Sequence, residues 1–130
     1  MIIKEINSKE KAVNLGQYGE EKAIEYLISN GYTVLCRNFR WKGGEIDIVA
    51  RDKARKDLIV FVEVKARRNR GFGLPCEAVT ASKLQRIRKT IKVYAGVKYC
   101  GDSDFRIDVI EILLVNRKTY IRHLKNVQEG

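Results

Sequence analysis

Apolar residues recur along this chain with two different periods, and the switches between them lay out its elements. From about Leu15 to Asn30 they fall at helical spacing, and Gly31 stands where a left-handed C-cap commonly ends a helix. Tyr32–Asn38 is rich in strand formers, Lys42-Gly-Gly44 reads as a turn, and Glu45–Ala50 alternates as a strand. Residues 51–57 are polar and predict a hairpin loop before Leu58–Val64, which is apolar on both faces, as a covered central strand would be. Gly71-Phe-Gly-Leu-Pro75 predicts a loop. A second helix is expected from Thr80, a suitable N-cap, to about Ala95, with Leu84, Ile87, Ile91, Tyr94 and Ala95 as its core stripe. Strands follow at Phe105–Val115 and near Thr119–Leu124. The order α-β-β-β-α-β-β implies an α/β fold: one domain over residues 15–125, a central mixed sheet flanked by helices, with a frayed lead over 1–14 and a tail over 126–130.

Three carboxylates break this pattern. Around the first helix, at 100° per residue, Gly16, Ala23, Ile24 and Leu27 all lie within about 60° of Glu20, so Glu20 sits inside the apolar arc. A carboxylate there is costly unless a cation or hydrogen bonds satisfy it. On the second strand, alternation places Ile46, Ile48 and Ala50 on one face and Glu45, Asp47 and Val49 on the other. On the third, Glu63 shares a face with Ile59, Phe61 and Lys65. Hairpin pairing of these strands would gather Asp47, Glu63 and Lys65 at one sheet end. Oxygen-rich clusters of this kind suit Mg²⁺ or Mn²⁺, which bind one or two carboxylates together with waters and substrate phosphates. A bound ion of this sort activates water and polarises a phosphodiester, and a nearby lysine stabilises developing charge. A plain buried ion pair of Lys65 with Glu63 or Asp47 is the alternative reading.

Charge sharpens the picture. The 130 residues carry a formal net charge of +10. Residues 65–92 contain nine Lys and Arg against the single acid Glu77, a net of +8, so the rest of the chain is nearly neutral. A local basic field is what a polyanion binder needs, although a solvated helix face has the same composition. An anionic membrane surface is a weaker third option, because the apolar side of the second helix is needed for a core. No apolar run approaches the ~20 residues of a membrane span. The N-terminal residues lack a signal-peptide pattern, and the three cysteines have neither disulfide-framework nor zinc-ligand spacing. A cytoplasmic protein is the expectation.

Taken together, several strings resemble a known family: Gly16-x-x-Gly19-Glu20, Gly31-Tyr32, Asn38, Gly44-Glu45-Ile46-Asp47, Phe61-Val62-Glu63-Val64-Lys65-x-Arg67, Phe72-Gly73-x-Pro75, Lys83 and Arg106-x-Asp108. They are similar to the YraN-like bacterial family, which is grouped with the PD-(D/E)XK nucleases and is distantly similar to archaeal Holliday-junction resolvases. The resemblance covers roughly residues 15–115 and implies a restriction-endonuclease-like fold. It also implies Asp47, Glu63 and the Val64 carbonyl as ligands of Mg²⁺ or Mn²⁺, Lys65 as catalytic lysine and Glu20 as a helix-borne acid joining the site. Ile46 departs from the name motif, which has Pro there. The function so implied is hydrolysis of DNA phosphodiesters, on branched or structured DNA, with Arg67, Arg68, Arg70, Lys83 and Arg86 gripping the backbone. Analogy with resolvases adds a homodimer. A nucleic-acid-binding module that keeps the fold without cutting is the alternative, and a basic structural protein of a ribonucleoprotein particle a weaker third. Asp108 could face the site or solvent and stays outside the catalytic set, while His123 reads as structural.

Overall fold

The computed structural model describes residues 2–7, 14–68, 80–98 and 103–127. Its elements are β1 (Ile2–Asn7), α1 (Leu15–Ser29), β2 (Tyr32–Trp41), β3 (Gly44–Asp52), β4 (Arg55–Arg68), α2 (Ala81–Val97), β5 (Asp104–Val115) and β6 (Lys118–Leu124). The strands form one six-stranded sheet in the order β1-β6-β5-β4-β3-β2. Only β4 and β5 run parallel; the other neighbours are antiparallel. A parallel neighbour requires a crossover, and α2 lies within it.

The expected α/β order holds, with one addition. Residues 2–7, expected as a frayed lead, pair with β6 from Ile2↔His123 to Asn7↔Lys118 and add an edge strand. The predicted hairpin loop over 51–57 is also much tighter, since β3 runs to Asp52 and β4 starts at Arg55. Polar residues hid these strand ends because the ribbon projects past the core into water. The Gly71–Pro75 loop, Cys76 and Cys100 lie outside the described residues.

Each helix covers one face of the sheet. On one side Ala23, Tyr26 and Leu27 of α1 pack with Ile48, Ala50, Val60, Val62, Ile110, Ile112 and Ile121. On the other, Leu84, Ile87, Ile91 and Tyr94 of α2 pack with Ile46, Val49, Ile59, Phe61, Ile107 and Val109. Both helices start on side-chain caps: Asn14 accepts from the Gln17 N–H at 3.0 Å and Thr80 from the Lys83 N–H at 3.1 Å. Helix α1 ends at Asn30, with Gly31 in the left-handed region at φ 88°. Gly19 lets α1 approach β4 closely, for a Cβ there would stand 2.5 Å from the Ala66 Cβ. This contact seats the first turns of α1 against the sheet end that carries Glu63 and Lys65.

Candidate functional site

The period-two reading of β3 fails at one rung, and the failure aims Asp47. Ile48 and Ala50 belong to the α1-side core, but Ile46 belongs to the α2-side core with Val49. Ile46 and Ile48, expected on one face, are thus on opposite faces, and the switch falls at Asp47. The facing strand switches with it: β2 pairs Arg37↔Ile48 and Phe39↔Ile46, so Asn38 lies across from Asp47. Asn38 has φ 53°, left-handed backbone that Asn tolerates better than most residues. A second irregularity interrupts β2 between Val34 and Cys36.

Asp47 now faces a polar cleft of about 450 Å³ on the α1 side, lined by Gly16, Glu20, Arg37, Arg40 and Val64 among others. One of its oxygens accepts the Val64 N–H at 2.8 Å. Burial pushes the Asp47 carboxyl up to about 7; the Val64 N–H opposes this, while the charge and hydrogen bonding of Glu63 and the charge of Glu20 add to it. Two carboxyls that crowd each other in this way favour either a shared proton or a cation between them.

Glu20 does lie on the sheet-facing side of α1, with its side chain only 15% exposed. Asn38 satisfies it through a 2.8 Å hydrogen bond from Nδ2 to Oε1, and the Arg37 guanidinium stands 3.7 Å from the same oxygen. Glu63, 13% exposed, is engaged from the α2 side by the Lys83 ammonium at 2.9 Å. That pair borders a smaller cleft of about 170 Å³, which Gly44, Glu45, Arg86 and Ile87 complete. Glu45 lines both clefts and pairs with Arg40 at 3.1 Å. The β2–β3 turn is anchored against α2, with Trp41 Nε1–H donating to Thr90 Oγ1 at 2.8 Å. A Cβ on Gly44 would stand 2.7 Å from that hydroxyl, so this turn needs glycine for the close approach.

The expected site residues thus separate into groups. At one end of the sheet Asp47 feels the charge and hydrogen bonding of Glu63 and, more weakly, the charge of Glu20, and Lys65 is half-buried on the same strand as Glu63. No group of three or more His, Cys, Asp or Glu side chains gathers as a ready metal cage among the described residues. The donor set at Asp47 is therefore a carboxylate pair, which suits an ion that keeps several of its waters. Of the basic residues, Lys83 and Arg86 border the site, and Arg68 is exposed at the end of β4. Arg70 lies outside the described residues. Arg67 turns to the fully buried Glu111, 2.7 Å away, and Arg122 approaches that carboxylate at 3.3 Å.

Sequence reasoning passed over two features and left a third open. Arg37 and Arg40 line the Asp47 cleft from β2, outside the basic window of 65–92. Glu111 interrupts the apolar run Val109–Leu114, a signal as clear as Glu20. Asp108, with either the site or solvent as its expected surroundings, has neither. It is buried, accepting from Arg106 at 2.8 and 2.9 Å, from the Asn126 N–H at 3.0 Å and from His123 Nε2 at 2.8 Å. Burial works against ionisation there, but the bonds from His123, Arg106 and Asn126 prevail and hold the Asp108 carboxyl below its usual range. Beyond His123, the Tyr26 hydroxyl meets Nδ1 at 2.9 Å; burial foremost, then Tyr32 and Asp108, push that phenol up to about 12. His123 is thus structural, as its lone occurrence implied.

Known proteins agree with the family reading of the motifs. A UPF0102 protein of Clostridium acetobutylicum is 50% identical over 99 residues, covering 76% of this chain and 79% of its own. One from Clostridioides difficile is 40% identical over 121 residues, covering 93% of this chain and 98% of its own. Another, from Clostridium novyi, is 42% identical over 100 residues, or 77% and 81% of the two chains. Residues 19–112, from the glycine that seats α1 to the middle of β5, match the sequence profile of the uncharacterised protein family UPF0102, and the chain belongs to that family.

Proposed function

We propose that the protein is a divalent-metal-dependent nuclease that hydrolyses DNA phosphodiesters. The observation that carries this reading is the Asp47–Glu63 pair, with the first carboxyl raised to about 7 by burial and by its neighbours. A purely structural site would gain nothing by crowding negative charge at a cleft mouth, whereas a cation site requires it. Asp47, Glu63 and the Val64 carbonyl would hold Mg²⁺ or Mn²⁺, which when bound lowers the pKa of its water and polarises the phosphate. The Val64 N–H orients Asp47 for that task. Lys65 steadies the charge that develops on the phosphate oxygens, and Asn38 holds Glu20 where a water can be positioned. Lys83 and Arg86 from α2, with Arg37 and Arg40 from β2, offer cations on both sides of the carboxylates for a phosphate backbone. Arg68, exposed at the end of β4, extends that basic field, and a role for Arg70 in gripping DNA belongs to the same proposal. Activity on branched or structured DNA, a homodimeric state and a cytoplasmic location belong to the same proposal. No described helix is long and apolar enough to cross a membrane.

One observation favours a second reading. The Glu63–Lys83 ion pair at 2.9 Å already neutralises one candidate ligand, as it would in a module that binds nucleic acid without cutting. The test is incubation with linear, nicked and four-way DNA in Mg²⁺ or Mn²⁺. Cleavage that is lost in Asp47→Ala and in Lys65→Ala supports the nuclease. Salt-sensitive DNA binding with no cleavage of any substrate, and no calorimetric metal binding lost in Glu63→Gln, supports the module instead.

A further inference from the structure

Two anions compete for the Lys83 ammonium. It stands 2.9 Å from Glu63 Oε2, and it also lines the cleft along which a phosphate backbone would pass. Among the described residues it is the one cation paired with Glu63; Arg86, about one helical turn on, lines the same cleft and holds no acid. An ammonium seated on a carboxylate cancels the charge that draws a divalent ion there. Lys83 therefore cannot serve Glu63 and a phosphate at full strength together.

The pair is built unevenly. The Glu63 side chain is mostly buried and borders Ile46, Phe61 and Ile87, so a carboxylate left bare there is costly and needs a cation. The Lys83 side chain is 41% exposed. Its backbone is fixed in the cap of α2, where its N–H donates to Thr80 Oγ1 at 3.1 Å, but four flexible carbons carry the charge. The ammonium can swing outward while the carboxylate stays. An ion pair so open to water contributes little and exchanges readily, and a phosphate oxygen is as good a partner for the ammonium. The cleft of about 170 Å³ has room for one, given ~30 Å³ per water.

We propose that Lys83 is a phosphate-released latch on Glu63: its ammonium holds the carboxylate in the free protein, and a DNA phosphate that draws it away leaves Glu63 to a divalent ion beside Asp47. The latch rests on the nuclease reading and deepens it, making Lys83 a positioning residue for a metal ligand. The Glu63–Lys83 pair is then the resting state of a site that cuts. By reciprocity, phosphate and divalent ion strengthen each other's binding by the same factor.

Calorimetric titration of Mn²⁺ into the full chain tests this, in a Lys65→Ala background so that DNA is bound without being cut. Without DNA, adding Lys83→Met should tighten Mn²⁺ binding about tenfold, because it keeps the length of the side chain and removes its charge. Lys83→Arg, which keeps a cation on Glu63, and Arg86→Met, which removes an equal charge from the same cleft, should each stay within about threefold of the background. With a saturating DNA duplex, the background protein should gain about tenfold more Mn²⁺ affinity than the protein carrying Lys83→Met. Unchanged or weaker Mn²⁺ binding in Lys83→Met, an equal gain in Arg86→Met or Lys83→Arg, or the same DNA-induced gain with and without Lys83 would overturn the latch and leave the nuclease reading standing. Absence of Mn²⁺ binding from every protein, with DNA or without, would remove the nuclease reading and the latch with it.

Discussion

Replacing Asp47 by Asn should make the protein more stable at neutral pH and above, but not in acid. The carboxamide keeps an oxygen to accept the Val64 N–H and differs little in volume, so what disappears is a charge crowded by Glu63 and Glu20. Lys83 on Glu63 and Arg37 on Glu20 offset part of that crowding. The folded-state value of about 7 stands above the ordinary 3.8, so folded Asp47 keeps a proton that the unfolded chain has already released. Wild-type stability should therefore decline as pH rises from about 4 to about 7 and level off beyond. Three pH units at about 1.4 kcal/mol each set a ceiling of about 4 kcal/mol. Asp47 is only partly buried, and solvent screening brings the expected gain in Asp47→Asn to about 1–3 kcal/mol at pH 8. Urea unfolding in chelator at half-unit pH steps measures it, and the two proteins should converge near pH 4. Mg²⁺ at ten times its dissociation constant should then return about 1.4 kcal/mol to wild type and nothing to the variant. Parallel pH profiles, or an Asn variant that is less stable at pH 8, would refute the reasoning.

Other consequences can be measured alongside. Gly19→Ala forces its new methyl against Ala66 and should cost about 1–3 kcal/mol by thermal melting. Adding Ala66→Gly should recover more than half of that loss, because it removes the opposing Cβ. Asp108→Ala leaves Arg106 and His123 without their buried carboxylate and should cost about 3–5 kcal/mol in urea unfolding. Since the Asp108 carboxyl is held low, its contribution is present above about pH 4 and fades as the solution is acidified. Asp108→Asn should accordingly be less stable than wild type at pH 6, by a margin that narrows towards pH 2. Asn38→Ala should leave the melting temperature within a few degrees but reduce DNA cleavage, because Glu20 loses its 2.8 Å hydrogen bond.

Helical periodicity sees the side of a helix well, so Glu20 could be placed against the sheet from sequence before any partner was known. Two-residue alternation sees a strand only while its pleat is regular. It therefore put Ile46 and Ile48 together and missed the face switch at Asp47. The one local hint was Asn38, a residue that accepts left-handed backbone, but nothing in sequence says it lies across from Asp47. Strand β1 escaped because charges interrupt Ile2-Ile-Lys-Glu-Ile6 and an edge strand has only one neighbour to satisfy. Counting charge by window found Lys83 and Arg86. It missed Arg37 and Arg40, which reach the cleft through pairing in three dimensions. The same count could not tell Arg67, committed to a buried acid, from an exposed cation.

Among the described residues strand β2 ends the sheet on the side of the site, so one row of its backbone groups has no neighbouring strand there. An edge of that kind invites another chain to extend it, and natural sheets discourage this with charge and with bends. Here the register shift after Val34, the left-handed Asn38 and the exposed Arg37 and Arg40 make the edge a poor template. The distortion that turns Asp47 into its cleft thus also guards against polymerisation. Replacing these residues with regular strand formers would straighten the edge, and the protein would become sticky at the same stroke as it lost its site.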